Sequence, residues 1–91
     1  MAISPKKLEK LGYVVLKNGK IKGKVVKYLS PVLDTGGFYS VGFALGNSEH
    51  AKDYVHRIVA KTYIPNPMKL KIVSHINGDK SDNRVSNLYW K

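Results

Sequence analysis

One titratable base and two side-chain amides crowd the C-terminal stretch His75-Ile-Asn-Gly-Asp-Lys-Ser-Asp-Asn83-Arg-Val-Ser-Asn87-Leu-Tyr-Trp90. The amides of Asn83 and Asn87 stand eight and twelve residues after the histidine, with an Asn77-Gly78 turn between. A free imidazole titrates near pH ~6.5, so a histidine can take a proton from water at neutral pH. It does so in one orientation only if its other ring nitrogen is anchored, and an amide oxygen serves as such an anchor. Hydrolysis of a phosphodiester also needs an electrophile on the phosphate and help for the leaving oxygen. One divalent metal can supply both. The bland reading of His75 taken alone is a structural residue at a strand end; the two amides at this spacing raise the site reading beside it. Asp79-x-Ser81-x-Asn83 is no calcium loop, because Arg84 and Trp90 stand where that loop requires glycine and glutamate.

The elements that must position this segment are read from periodicity. Ser4-Pro5 predicts a short helical turn over Lys6–Leu11, ended by Gly12. Tyr13–Leu16, an Asn18-Gly19 turn of type I′ and a return strand from Lys20 predict a hairpin, with Lys20, Lys22 and Lys24 on one face and Ile21 and Val25 on the other. A third strand is expected over Val25–Leu29, a turn at Asp34–Gly37, and a strand over Phe38–Leu45. That strand sets Tyr39, Val41, Phe43 and Leu45 on one face and small Ser40, Gly42 and Ala44 on the other. Ala51–Tyr54 returns as a strand. The period then changes: Val55, Ile58, Val59, Thr62 and Tyr63 fit a helix closed by Pro65 and Pro67. Lys69–Val73 should be extended, and Leu88–Trp90 should be the last strand. The fold class is α+β: a small antiparallel sheet of about four strands, one central helix and a polar C-terminal hairpin. The chain reads as one domain over 1–91, with a strand-rich part at 12–54 and the site-bearing part at 55–91.

Sixteen Lys and Arg against six Asp and Glu give a net charge of +10, unevenly placed. Lys6 to Lys27 holds eight lysines and a single acid, Glu9, whereas Tyr28 to His50 has no Lys or Arg. A field this strong and one-signed points to a polyanionic partner, duplex DNA foremost. No amphipathic helix sets aromatic residues opposite a basic face, which argues against a membrane surface. The absence of cysteine excludes disulfides and thiolate zinc sites. Neither a signal peptide nor a membrane span is visible, so a cytoplasmic location is expected. A core this small makes dimerisation a further expectation.

The His75–Trp90 segment, together with Val55-His-Arg-Ile-Val-Ala-Lys-Thr-Tyr-Ile-Pro-Asn-Pro67 upstream, resembles the HNH family of DNA endonucleases, in particular the phage and intron-encoded homing type. The resemblance implies a ββα site in which His75 is the general base, Asn87 orients its imidazole and Asn83 braces the intervening loop. The strands at 12–54 resemble a DNA-binding module. Phosphate contacts are expected from Lys17, Lys20, Lys22, Lys24, Arg57, Lys61, Lys80 and Arg84. His56 reads as structural, at the start of the helix, and His50 as a loop residue. The cofactor implied is Mg²⁺ or another divalent metal. Ser74 stands where the family often has a metal-binding Asp or Asn, Asp79 or Asp82 is the available substitute, and the helix with the second ligand would follow Trp90. The expectation is a DNA-binding protein with cleavage weak or lost. The alternatives are an active nicking endonuclease, completed by the turn aspartates or by a second subunit, and a phage-type regulator that contacts a host protein through 28–50.

Overall fold

The computed structural model describes residues 4–23, 28–46 and 49–91. Ser4 opens the first helix, α1 (Pro5–Lys10): its hydroxyl accepts the Lys7 amide at 3.2 Å, and proline occupies the start of the helix, where no intrahelical donor is needed. Leu8 is buried, and Gly12 at φ +92° turns the chain into the first hairpin.

Strands β1 (Val14–Val15) and β2 (Ile21–Lys22) pair antiparallel, Val14 opposite Lys22 and Val15 opposite Ile21. Their connection differs from the expected two-residue turn. The Gly19 amide donates to the Leu16 carbonyl at 3.0 Å and the Leu16 amide to the Lys20 carbonyl at 2.8 Å. Gly19 alone in this loop has a positive φ, +88°. The connection is thus a three-residue loop with glycine in the left-handed position. Asn18 keeps a negative φ because its side-chain oxygen instead accepts the Lys20 amide at 3.0 Å. Most of the anticipated strand at Val25–Leu29 lies outside the described residues. Tyr28 bridges to Lys22, and the Leu29 amide donates to the Ile21 carbonyl at 2.8 Å.

A second antiparallel sheet follows, in the order β3 (Val32–Leu33), β4 (Tyr39–Gly46), β5 (Glu49–Tyr54). The β3 strand, absent from the sequence reading, is a short exposed edge directly after Pro31. Asp34 closes the turn into β4, one carboxylate oxygen accepting the Gly36 and Phe38 amides at 2.9 Å each. Val41 and Phe43 point inward, and Tyr13 packs edge-on against Phe43 at 5.0 Å.

Helix α2 (Val55–Tyr63) continues from β5 and buries Val55, Ile58, Val59 and Ala60. It packs against β1, β4, β5 and the last hairpin, so the core is built around it. Burying Val55, Ile58 and Val59 contributes about 1.5–3 kcal/mol each relative to exposure. At its end the Tyr63 hydroxyl donates to the Val15 carbonyl, and Trp90 Nε1 donates to the Ile64 carbonyl at 3.1 Å. Beyond it, Asn66 bonds both backbone groups of Leu70 (2.7 and 2.8 Å), and Lys69 takes φ +53°. The expected extension at Lys69–Val73 is therefore a turn first. The last hairpin, β6 (Val73–His75) and β7 (Leu88–Trp90), pairs Val73 with Trp90 and His75 with Leu88. The class is α+β as expected, but among the described residues the strands form three ladders around α2 in place of one sheet of about four strands.

Candidate active site

His75 is the last residue of β6, and everything between it and β7 is a polar loop held by its own side chains. Gly78 takes φ +76°, Asn77 Oδ1 accepts the Asp79 amide at 2.8 Å, and Asp79 Oδ1 accepts the amide and hydroxyl of Ser81 at 3.0 and 2.6 Å. Each is a short side chain satisfying backbone two residues on, which is how such loops become rigid. The loop returns with Asn83 buried and its Oδ1 2.7 Å from His75 Nε2. An amide oxygen only accepts, so Nε2 is the donor, and in the neutral ring the lone pair then lies on Nδ1.

The two amides exchange the roles that the resemblance implies. Asn83 meets the imidazole, and Asn87 is the brace. Asn87 Oδ1 accepts the Asn77 amide at 3.2 Å, while its Nδ2 donates to Asn77 Oδ1 and to the Asp82 carbonyl at 2.9 Å each. A single 3-10 turn at Val85–Asn87 aims Asn87 back at the loop's own backbone. Asn83, on the arm before that turn, is left to reach the strand end.

His56, which the sequence reads as structural, lies beside His75. It lies near the start of α2, buried, with its ring centroid 5.2 Å from that of His75 and stacked on Phe38 at 4.9 Å. Burial pushes its pKa down to about 4, and the charges of His75 and Arg57 add to that effect. His56 is neutral at physiological pH and forms, with Phe38, an aromatic floor beside His75. A polar ring flanked by helix-core aliphatics was the available signal. Lys80 sits over Phe38 at 4.6 Å and donates to the Gly36 carbonyl at 2.7 Å. The Asp34–Gly37 turn thus grips the site loop from one side.

The expected phosphate ligands separate into two groups. Lys17 lies over the Tyr63 ring at 5.9 Å, and Lys20 and Lys22 lie over Tyr28 at 5.2 and 5.8 Å, with no carboxylate partner shown for any of them. Lys24 lies outside the described residues. The others are engaged within the chain. Arg84 forks onto Asp82 with two 2.7 Å bonds, holding that carboxyl at about 2. Lys61 pairs with buried Asp53 at 2.9 Å, and Arg57 donates to the Lys71 carbonyl at 2.7 Å. Local pairing offsets the charge of Arg84 and Lys61, so neither is a free cation.

HNH nucleases generally use a divalent metal. The donors present here do not by themselves fit one. Ser74 is a neutral hydroxyl, and the Asp79 carboxylate is held by Ser81, which lowers its pKa. Among the described residues no three His, Asp or Glu side chains converge as metal ligands. Magnesium prefers near-octahedral oxygen with one or two carboxylates.

Comparison with known proteins agrees with the geometry. A sequence model of the HNH endonuclease family matches residues 53–91. Two proteins of Acanthamoeba polyphaga mimivirus, described as uncharacterized HNH endonucleases L245 and L247, are 37% and 36% identical over 79 and 80 residues. These alignments cover 86% of this chain in each case, but 24% and 20% of the two relatives. The fold matches a solved structure of the HNH homing endonuclease I-HmuI, from work on its DNA binding and cleavage, with TM-score 0.76 and 27% identity. That match covers 87% of this chain and 45% of the other. The chain therefore spans less than half the length of the proteins it matches. The segment that carries His75, Asn83 and Asn87 is thus the part of this chain that matches the HNH endonuclease family.

Proposed function

We propose that this chain binds duplex DNA through the face carrying Lys17, Lys20 and Lys22 and offers His75 Nδ1 as the general base for hydrolysis of a backbone phosphodiester. The observation that carries the reading is the 2.7 Å contact of His75 Nε2 with a buried amide oxygen. Water gives its proton to Nδ1, and the imidazolium charge that results is stabilised through Nε2–H by the Asn83 carbonyl. Neutral His56 alongside adds no positive charge to oppose that step. The lysines, stacked on tyrosine rings rather than paired with carboxylates, keep their charge for phosphate.

Two measurements test this. Affinity for a labelled duplex should fall with salt, with a log–log slope of about −3 if three phosphates are neutralised. A flat curve removes the binding half. Supercoiled plasmid with Mg²⁺ or Mn²⁺ should be nicked by the wild type and left intact by His75→Ala. Nicking that survives the substitution removes the base.

A second reading, DNA binding without cleavage, is favoured by Ser74 and by the Asp79 carboxylate held by Ser81. It predicts salt-dependent binding of plasmid that stays supercoiled in either metal.

A further inference from the structure

The loop that carries Asn83 is seated by the tip of the first hairpin. The Val85 amide donates to the Lys17 carbonyl at 2.9 Å, a backbone bond between the two ends of the chain. Next to it, Gly19 lies so close that a Cβ there would stand 2.7 Å from the Asn83 carbonyl oxygen and 2.8 Å from the carbonyl carbon. Gly19 also needs its φ of +88° to close the hairpin loop, so two separate demands meet at one residue. On another flank Asn83 borders a cavity of about 370 Å³, shared with Gly19, Ile21, Tyr39 and Val41. The hairpin tip is therefore a principal support for the backbone from which the amide reaches His75.

We infer that the Lys17–Gly19 loop is a positioning element for the base: it holds Asn83, and through Asn83 it sets the tautomer and orientation of His75. The same loop carries Lys17 and is followed by Lys20, so one short segment joins the DNA-facing cations to the chemistry. The inference rests on the reading of His75 as the base, but its structural half can be tested without activity.

Two variants of the full chain separate the possibilities. Gly19→Ala forces the Asn83 backbone away. Val85→Pro removes the donor to Lys17 together with the valine's packing against the core, at the first position of a 3-10 turn, where proline is tolerated. The preceding Arg84, at φ −64° and ψ 144°, already has the conformation proline requires of its neighbour. Nitrogen-15 NMR of the imidazole should show one Nε2–H tautomer in the wild type and a mixture in both variants, with about tenfold faster exchange of that proton. In nicking assays kcat should fall about 100-fold with KM little changed, because the loss is one of orientation and not of binding. A folded Val85→Pro protein that keeps the single Nε2–H tautomer and the wild-type kcat would overturn the inference, whether or not Gly19→Ala folds. If the wild type nicks nothing, the functional reading fails separately and the tautomer measurement still decides this one: a mixture supports it and an unchanged Nε2–H signal overturns it.

Discussion

Asn83 Oδ1 lies 2.7 Å from His75 Nε2, and Asn83 is buried while the imidazole is only half so. The acceptor is thus held in a buried position, while the ring it meets is partly exposed. A buried acceptor favours the Nε2–H tautomer of the neutral ring.

Removing that acceptor should separate chemistry from binding. Asn83→Ala should lower plasmid nicking about 100-fold, at the low end for a disabled general base, with duplex affinity unchanged. Asn83→Asp should recover most of the rate, because a carboxylate also accepts from Nε2–H. Equal losses in the two variants would count against the tether.

Asn87 carries a different load. It bonds Asn77 twice and the Asp82 carbonyl once from a buried position, so Asn87→Ala leaves several backbone and amide groups unpaired. Urea denaturation should show a loss of about 2–3 kcal/mol, larger than for Asn83→Ala. The reverse ranking would mean that the brace is misassigned.

His56 should make stability depend on pH. Its folded pKa of about 4 lies below the unfolded value near 6.5, so the unfolded chain binds the proton first. Stability is then full above pH ~6.5 and falls as pH drops towards ~4. Linkage over such a shift amounts to at most about 3 kcal/mol. Thermal melts of wild type and His56→Phe at pH 7.5 and 5 measure it: the wild type should lose more on acidification. Parallel losses would show that His56 is not the titrating group.

The cations should differ in kind. Replacing Lys17, Lys20 or Lys22 by Gln should each reduce the salt slope of duplex binding by about 0.9. Arg84→Gln should change it less, its charge being already offset by Asp82. Lys61→Gln should instead lower stability by about 1–3 kcal/mol by leaving buried Asp53 unpaired. Titrations at several salt concentrations, set beside denaturation curves, check both halves.

Helix α2 was legible because Val55, Ile58, Val59 and Tyr63 repeat at the helical period with prolines after them, and periodicity is local. The α1 cap at Ser4 and the hairpin around Asn18-Gly19 were legible for the same reason. The type of that turn was not, since Asn18 could spend its side chain on Lys20 or its backbone on a positive φ, and only the assembled loop chooses. The two-residue β3 strand is too short for any period to reveal.

Residue type and spacing alone placed a base and two amides in one polar loop behind a basic hairpin, and marked the chain as HNH-like. They could not say which amide meets the base, that His56 lies beside it, or which cations are already paired. Those are relations between segments distant along the chain. A hydrogen bond acts over about 3 Å, and the path by which Lys17 comes to Val85, or Phe38 to His56, runs through the packing of every strand around α2.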